Sequence, residues 1–335
     1  GQQVPILWPM IFKSGHEIAF AHTSFKWANL ASHNAGVTVA IVGISNRIGP
    51  MRRLFTLSDD GSSVLKETNN INAYLVAAPN VVINKASKPM NGTSSMSFGN
   101  KPVDGGYLLL TSHEMHALGL TPEQRNKFIR RIYGSAEFIR GLERYCLWIE
   151  DAYLQEAIKI DEIRRRIEGV REVRLSSRDK SANEMAARSH QMREMRIGSK
   201  WTLTVPRTSS ENRPYLPNGI IDAHSTVTSE TFALYDAPLW NMALIASRLH
   251  LVWVATVCGK MKTDFRYSNT LGWNAFPVPK LTEKNKEDLT RCAEDILLAR
   301  EAHFPKTIAD LYDPDAMPDN LRAAHDRNDE VLERI

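Results

Sequence analysis

Cysteine is scarce in this chain: the 335 residues contain three, Cys146, Cys258 and Cys292, more than thirty positions apart. This spacing excludes a disulfide scaffold and a cysteine-rich zinc site, and it is typical of a reducing compartment. The content of 43 % hydrophobic and 24 % charged residues excludes collagen-like, mucin-like and disordered chains. We therefore expect a cytoplasmic protein with a substantial hydrophobic core.

Long apolar runs are also lacking. The most apolar stretch, 238–258, carries Asn241, Arg248 and His250, and each of these side chains is costly in hydrocarbon. We interpret the stretch as a buried core helix and expect no membrane association. The first residues contain neither a basic region nor a cleavage site, so they do not read as a signal peptide.

Several catalytic and nucleotide-binding motifs are absent. The sequence has no P-loop, no Gly-x-Gly-x-x-Gly loop and no Gly-x-Ser-x-Gly elbow. The string His-Glu-Met-His at 113–116 is one residue too short for a zinc-protease motif, because that motif needs both histidines one helical turn apart. We expect no metal site.

The small net charge of +4 conceals an uneven distribution. Residues 281–335 carry a net charge of −6, and residues 1–280 therefore carry +10. A basic body followed by an acidic segment favours a polyanionic partner such as nucleic acid, but an ordinary solvated surface has the same charge balance.

Helix and strand patterns alternate along the chain and indicate a mixed α/β fold. Thr121 as N-cap, Pro122 at the first helical position and Gln124 predict a helix start, and apolar residues at helical spacing continue that helix through Tyr133. The predicted strands are 16–22, 37–44, 144–149 and 201–206, and the predicted helices are 4–12, 121–133, 155–175, 238–258, 282–302 and 319–334. Residues 57–72 are predicted to be a connector.

The clearest amphipathic helix is the one predicted at 155–175. Ile160, Ile163 and Ile167 begin an apolar stripe that repeats every three or four residues, and the arginines between 164 and 178 lie mostly off it. Because carboxylates are interspersed, two interpretations stay open. The arginines form either a solvated face with internal ion pairs or a surface that contacts a polyanion.

Two further segments combine basic, aromatic and amide side chains: the loop 207–215 and the stretch 258–268. Guanidinium groups pair with phosphates or guanine edges, and asparagine pairs with adenine. Together with the arginine-rich helix, these segments favour nucleic-acid binding. Composition and spacing alone indicate no more than an α/β protein with a basic, loop-rich middle region.

Eight strings, each weak alone, follow one another along nearly the whole chain. They are 17–29, 34–43, Phe-Gly-Asn-Lys-Pro-Val-Asp-Gly-Gly at 98–106, Arg-Tyr-Cys-Leu-Trp at 144–148, Ser-Ser-Glu-Asn-Arg-Pro-Tyr-Leu-Pro at 209–217, Asp-Phe-Arg-Tyr-Ser at 264–268, Phe-Pro-Val-Pro at 276–279 and Ala-Asp-Leu-Tyr-Asp-Pro at 309–314. Together they resemble the MmeI-like (type IIL restriction-modification) adenine-specific DNA methyltransferases.

The resemblance implies a function and a domain order. Members of the family are bacterial restriction-modification proteins that transfer a methyl group from S-adenosylmethionine to the exocyclic amine of adenine in double-stranded DNA. Residues 1–70 would be the last strands of the methyltransferase domain and supply part of its sheet edge. Residues 71–280 would be an α/β target recognition domain, and residues 281–335 a helical C-terminal domain.

The sequence also departs from the family pattern. The glycine-rich cofactor loop and the Asn-Pro-Pro-Tyr motif precede this region in the family, and neither occurs in the 335 residues. We expect S-adenosylmethionine to serve the full-length enzyme but not to bind this fragment, which should be inactive alone. The expected missing partner is an N-terminal methyltransferase region, with or without a nuclease domain.

A missing methyltransferase region would leave strands without their neighbours. The strands near residues 18 and 40 would then expose an apolar sheet edge, and unpaired edges promote association. We therefore expect self-association or disorder near the N-terminus.

The resemblance also implies a base-stacking residue. Such methyltransferases flip the target adenine out of the duplex and stack it between aromatic rings. In related enzymes one ring comes from the turn between the last two strands, which here would hold Phe25 and Trp27. We hypothesise that one of the two stacks on the base; the alternative is packing beneath the sheet.

The expected DNA contacts fall into two classes. Residues expected to read bases are Ser209, Ser210, Glu211, Asn212, Arg213, Tyr215, Arg266, Tyr267 and Ser268. Residues expected to contact phosphates are Arg164, Arg166, Arg171, Arg174, Arg178, Lys260 and Lys262, and Arg207 is also expected to bind DNA. Two other functions stay open: a non-catalytic specificity subunit that works with a separate methylase chain, and an unrelated metabolic enzyme with a basic surface.

Overall fold

The computed structural model describes residues 1–27, 37–47, 49–58 and 60–335. The α-helices of this part are Val4–Lys13 (α1), Ser112–Ala117 (α2), Pro122–Phe128 (α3), Ser135–Arg140 (α4), Leu154–Ala157 (α5), Asp161–Leu175 (α6), Lys180–Glu184 (α7), Trp240–Ile245 (α8), Arg248–Val257 (α9), Glu283–Glu301 (α10), Ile308–Leu311 (α11) and Asp319–Arg334 (α12). The strands are Glu17–Trp27 (β1), Val37–Ser45 (β2), Arg52–Leu57 (β3), Ser63–Thr68 (β4), Ser97–Phe98 (β5), Leu109–Leu110 (β6), Ile129–Tyr133 (β7), Tyr145–Leu147 (β8), Trp201–Pro206 (β9), Thr208–Ser209 (β10), Gly219–Asp222 (β11), Ser225–Val227 (β12), Thr231–Tyr235 (β13), Gly259–Met261 (β14) and Asp264–Arg266 (β15). The predicted mixed α/β class is confirmed.

The described strands form four small sheets, with strand orders β2-β1-β3-β4, β10-β15-β14, β11-β9-β13-β5 and β12-β7-β8-β6. The chain divides into two compact units, each built from distant stretches. The first unit comprises 1–91, 208–211 and 249–278, and the second comprises 92–207, 212–248 and 279–335. Among the described residues, no helix is long and apolar enough to span a bilayer.

In the first unit, a four-stranded sheet packs against α1. β1 pairs antiparallel with β2 and parallel with β3, and β3 pairs antiparallel with β4. Ile18, Ala21 and Leu54 from this sheet form a buried cluster with Ile71, and Trp8 of α1 packs against it. The predicted helix at 4–12 and the predicted strands at 16–22 and 37–44 are confirmed.

The edges of this sheet differ in character. β2 forms one edge and exposes Ile41 and Ile44. β4 forms the other edge and pairs with β3 along its whole length, so the prediction of a connector at 57–72 is wrong for Ser63–Thr68. No β4 side chain is buried, and the strand therefore has no apolar alternation that a sequence pattern could reveal.

In the second unit, strands and helices share one large apolar core. Ile132 of β7, Leu147 of β8 and Ile163 of α6 belong to the same buried cluster. In a separate sheet of this unit, β9 pairs antiparallel with both β11 and β13. The predicted strands at 144–149 and 201–206 are confirmed.

Three predicted helices have different bounds in the structure. The helix that starts after Thr121 has the predicted capping box with Gln124, but it ends at Phe128. Ile129–Tyr133 forms β7 instead, because it pairs antiparallel with β8 and parallel with β12. The predicted helix at 155–175 is divided into α5 and α6, and the predicted helix at 238–258 into α8 and α9. All six residues of α8 are buried, whereas α9 exposes Leu249 and Val252.

The C-terminal part of the second unit is helical, as predicted. α10 begins at a capping box between Thr282 and Asn285 and packs against both α12 and α8. Leu289 and Ile296 of α10 and Leu321 of α12 are fully buried. The helices predicted at 282–302 and 319–334 are confirmed as α10 and α12.

Candidate nucleic-acid interface

The arginines of α6 divide into exposed, paired and buried side chains. Arg164 lies 2.8 Å from Asp161, and Arg165 lies 3.6 Å from Glu162. Arg166 is mostly buried and forms ion pairs with Glu114 at 2.9 Å and Glu162 at 3.5 Å. The solvated-face interpretation therefore describes Arg164 and Arg165, whose exposed ion pairs add little stability, whereas Arg166 forms its ion pairs as a mostly buried side chain.

Glu114 connects α6 with the start of α2. It completes the capping box of α2 with Thr111 and also receives a hydrogen bond from Arg166. The hydrogen bond from the Thr111 backbone, followed by that from Arg166, lowers the pKa of Glu114 to about 2. The described residues contain no cluster of histidine, cysteine or acidic side chains able to hold a metal ion. The His-Glu-Met-His string lies at α2.

Arg174 occupies the buried side of α6, with 0 % of its surface exposed. Its three guanidinium nitrogens donate hydrogen bonds of 2.7–2.9 Å to the backbone carbonyls of Pro102, Val103, Met185, Arg188 and Gln191. Because these bonds use all the N–H groups of the guanidinium, none is available to a ligand. The predicted phosphate contact of Arg174 is therefore corrected: this residue joins backbone segments inside the second unit. Arg171 and Arg178, by contrast, are exposed.

In the first unit, the start of the predicted base-reading loop pairs with a hairpin. β10 pairs antiparallel with β15, and Arg266 donates from Nη1 to the Thr208 hydroxyl at 2.8 Å. Ser209 is buried, Ser210 is half-buried, and Glu211 forms an ion pair with Lys260 at 3.1 Å.

The hairpin of β14 and β15 has a two-residue turn. Met261 pairs with Asp264, so Lys262 and Thr263 form the turn. Lys262 is exposed and adopts a φ of 58°. An exposed ammonium group at a hairpin turn is suited to a phosphate contact.

Tyr267 follows this hairpin but is buried. Its hydroxyl lies 2.8 Å from Nε2 of His250, and burial raises the pKa of Tyr267 and lowers that of His250 to about 3. The predicted base contact of Tyr267 is therefore corrected to a core hydrogen bond. Ser268 is half-buried, with its hydroxyl 3.1 Å from that of Thr270.

In the second unit, the loop continues through an exposed Asn212 and a half-buried Arg213 to a buried Tyr215. The Tyr215 hydroxyl lies 3.2 Å from Asp329, and its ring stacks on His325 with centroids 3.9 Å apart. Burial, reinforced by Asp329, raises the pKa of Tyr215. Tyr215 therefore anchors the loop on α12, and its predicted base contact is corrected.

Arg207, the first residue of this loop, packs over two neighbouring aromatic rings of the second unit. Its guanidinium carbon lies 4.9 Å from the ring centroid of Phe98 and 5.8 Å from that of Phe232. It also donates to the Ser229 carbonyl at 3.0 Å. These contacts hold the side chain mainly within the protein.

Phe25 and Trp27 lie within β1, not in a turn, which corrects their predicted location. They pair with Val39 and Val37 of β2, and their ring centroids are 6.3 Å apart. Phe25 is half-buried, whereas Trp27 is 50 % exposed. Residues 28–36, which follow in the sequence, lie outside the described residues.

A cavity of about 780 Å³ in the first unit is lined by Trp8, Ser24 and Thr38 together with Lys260 and Lys262. The described lining contains no carboxylate. A sulfonium cofactor carries a positive charge that the two lysines repel, and its ribose hydroxyls would find no acidic acceptor there. The described lining thus offers no acidic acceptor to a ribose hydroxyl and no counter-charge to a sulfonium.

One concentration of charge in the second unit is not apparent from the sequence: Arg125, Arg130 and Arg131 line a common groove. The string Ile-Arg-Arg-Ile-Tyr at 129–133 was assigned to a helix, which would have distributed these side chains around a cylinder. The β-branched residues Ile129 and Ile132 favour a strand, but the helical spacing of the apolar residues outweighs this signal.

Comparison with known proteins gives matches along the chain. Models of the MmeI DNA-methyltransferase domain, target recognition domain and C-terminal domain match residues 1–56, 77–280 and 281–335, respectively. DNA methyltransferase A of Bacillus subtilis (strain 168) is 37 % identical over 335 residues, which are 100 % of this chain and 37 % of that protein.

A solved structure gives the same result. The type IIL restriction-modification enzyme MmeI in complex with DNA superposes with a TM-score of 0.93 at 32 % identity, over 100 % of this chain and 45 % of that chain. The chain thus spans less than half the length of either protein. On these matches, it belongs to the MmeI family of DNA methyltransferases and contains the target recognition region of that family.

Proposed function

We propose that this chain is the DNA-recognition part of an S-adenosylmethionine-dependent, adenine-specific DNA methyltransferase from a bacterial restriction-modification or defence system. The observation that carries the proposal is the match of residues 77–280 to the MmeI target recognition domain. Both predicted base-reading segments fall inside that range. The related structure was determined in complex with DNA, which supports duplex DNA as the partner.

The proposed domain roles follow the linear order of the chain. Residues 1–70 contribute strands to a methyltransferase domain, residues 71–280 recognise the target, and residues 281–335 support them. The match of residues 1–56 to a methyltransferase domain favours this arrangement over a specificity subunit that works with a separate methylase chain.

The proposed DNA contacts are the accessible candidates outside the ion-paired segment 164–166. Base readers are Ser210, Glu211, Asn212, Arg213, Arg266 and Ser268, and phosphate contacts are Arg171, Arg178, Lys260 and Lys262. Amide and guanidinium groups on the loop can form bidentate hydrogen bonds with base edges. Lysines on the hairpin supply charge without sequence preference.

A binding titration tests the recognition role. The purified chain is mixed with duplex oligonucleotides of varied sequence at several ionic strengths. We expect affinity that falls steeply with salt, because bound phosphates release counterions, and a higher affinity for one sequence class. No complex at low ionic strength would refute the proposal.

Methyl transfer is proposed to need residues beyond those of this chain, because the glycine-rich loop and the Asn-Pro-Pro-Tyr motif do not occur in it. When bound, S-adenosylmethionine supplies the methyl group. The contribution of this chain is to bind the duplex and to orient the target base. Incorporation of labelled methyl groups into adenine by the purified chain alone would contradict this division.

Trp27 is the better candidate for stacking on the flipped base, because 50 % of its surface is exposed whereas Phe25 is only partly exposed, to a smaller extent. In the full-length enzyme, Trp27→Ala should lower the methylation rate more than Phe25→Ala. Ser24→Ala, an exposed change on the same strand, is the control. Wild-type rates in both aromatic variants would exclude a stacking role for either residue.

Self-association through β2 is proposed for the isolated chain. β2 is an edge strand with exposed Ile41 and Ile44, and unprotected edges pair with other chains. Ile41→Lys should lower the apparent mass in sedimentation, whereas Ile6→Lys on the exposed face of α1 should not. A monomeric wild-type chain at all concentrations would contradict the idea.

A further inference from the structure

A groove of about 460 Å³ in the second unit is lined by arginines from α3 and β7. Arg131 pairs in register with Tyr145 of β8 on one side and with Ser225 of β12 on the other, and all three line the groove. Arg125 of α3 extends over the Tyr145 ring, with its guanidinium carbon 5.9 Å from the ring centroid. Sheet and helix thus direct two guanidinium groups to one concave surface.

Arg130 contributes a third guanidinium in a fixed position. Its Nη1 donates to the backbone carbonyls of Asn126 and Ile129, so the side chain is held against the end of α3. Carbonyl acceptors orient the guanidinium but leave its full charge without a counter-ion.

The charge of the groove is not neutralised within the protein. No carboxylate of the described residues lies within 4.0 Å of the guanidinium nitrogens of Arg125, Arg130 or Arg131, whereas Arg164, Arg165 and Arg166 on α6 all have such partners. Three unpaired guanidinium groups at one groove produce a positive potential that attracts anions.

One carboxylate does line the groove, but it is engaged locally. Asp222 accepts the backbone N–H of His224 at 2.9 Å and so stabilises the turn between β11 and β12. His224 is exposed beside it and also lines the groove. Asp222 keeps its negative charge, but three guanidinium groups against this one carboxylate leave the groove with a positive excess charge.

We propose that this groove binds the phosphate backbone of duplex DNA, a contact that rests on the proposed recognition function and adds a surface to it. Guanidinium forks match the spacing of phosphate oxygens and form charge-assisted hydrogen bonds with them. The groove lies within residues 77–280, the range matched to the target recognition domain. The contact fixes the position of the duplex and carries no sequence preference.

Salt-dependent binding tests the groove in the whole chain. Arg125→Gln, Arg131→Gln and the double variant are titrated with duplex oligonucleotides over a range of salt concentrations. Each phosphate contact contributes about 0.9 to the slope of log affinity against log salt, so the slope should fall by about one in each single variant and by about two in the double variant. The loss should be equal on all sequences.

Matched variants separate this role from folding and from total charge. Arg165→Gln on α6 removes an exposed arginine that is paired with Glu162 and should leave the slope unchanged. Arg131→Lys retains the charge and should retain the slope. Because Arg125 is exposed, Arg125→Gln tests the groove even if variants of Arg131 unfold.

The remaining outcomes overturn the proposal in distinguishable ways. Unchanged slopes in Arg125→Gln and in the double variant, with normal wild-type binding, refute the groove but not the recognition function. Loss on a single sequence would mark base reading instead. Inhibition by inorganic phosphate at constant ionic strength, abolished in the double variant, would reassign the groove to a free phosphate ligand. Absence of wild-type binding refutes the recognition function itself.

Discussion

Two arginine-rich parts of the second unit differ in how their charge is used. On α6, residues 164–166 lie beside carboxylates, and Arg174 donates all of its hydrogen bonds to backbone carbonyls. At the groove, Arg125 and Arg131 have no such carboxylate partner among the described residues. The number of arginines in a segment therefore does not measure its capacity to bind a polyanion, since only unpaired and accessible guanidinium groups contribute.

The largest expected effect concerns Arg174, where the comparison within α6 is sharpest. Arg174→Met should lower the free energy of unfolding by more than about 3 kcal/mol, because several buried carbonyls lose their donors at once. Urea denaturation measures this loss. Arg171→Met, one helical turn away and exposed, should change stability by less than about 0.5 kcal/mol while weakening DNA binding. Equal destabilisation by both would contradict the assignment.

The next effect separates base reading from phosphate contact. Arg213→Ala should reduce discrimination at one base pair by about 1–3 kcal/mol, whereas Lys262→Ala should lower affinity on all sequences and reduce the salt slope by about one. Competition binding against a set of singly substituted duplexes measures both. A uniform loss from Arg213→Ala would move this residue to the phosphate class.

The pH dependence of stability tests the burial of His250, the hydrogen-bond partner of Tyr267. His250, the partner of Tyr267, has a pKa lowered to about 3 by burial. Below about pH 6.5 the unfolded chain binds a proton that the folded chain does not, so stability should fall as the pH decreases from about 6.5 to 3, by up to about 1.4 kcal/mol per pH unit. Thermal unfolding of wild type and His250→Gln measures the slope, which should be smaller in the variant. Parallel pH profiles would mean that His250 is not the group responsible.

The smallest expected effect concerns the ion pairs between arginines and carboxylates on α6. Glu162→Gln removes the carboxylate partner of Arg165 and one of two partners of Arg166. Because exposed ion pairs contribute about 0–1 kcal/mol, stability should change little. DNA affinity should rise slightly at low salt, since a negative charge is lost. A fall in affinity would show that Glu162 itself orients a DNA contact.

Local signals predicted much of the secondary structure. The starts of α3 and α10 are each set by a capping box between residues three positions apart. Apolar runs at strand spacing identify β1, β2 and β9. β7 was not predictable in this way, because Phe128, Ile129, Ile132 and Tyr133 recur at helical spacing. Its strand character depends on pairing with β8 and with the distant β12.

The candidate site was predictable only where exposure follows from local composition. Asn212 and Lys262 lie in polar turns and are exposed, as such positions usually are. Arg174 is buried because carbonyls more than seventy residues away, at 102 and 103, accept its hydrogen bonds. Tyr215 is buried because α12, more than a hundred residues further along the chain, covers it. Contacts at such separations leave no pattern in a local segment.

The turn of the β14–β15 hairpin has a consequence for protein engineering. Lys262 adopts a left-handed backbone conformation, which glycine and asparagine accept at lower cost than lysine. Exchange of Lys262 for asparagine should relieve that cost and raise the melting temperature, yet it removes the cation that we propose as a phosphate contact. With the proposed phosphate contact at Lys262, thermostability and DNA affinity would be opposed at a single residue, and selection for a more stable protein would lower the affinity at this position.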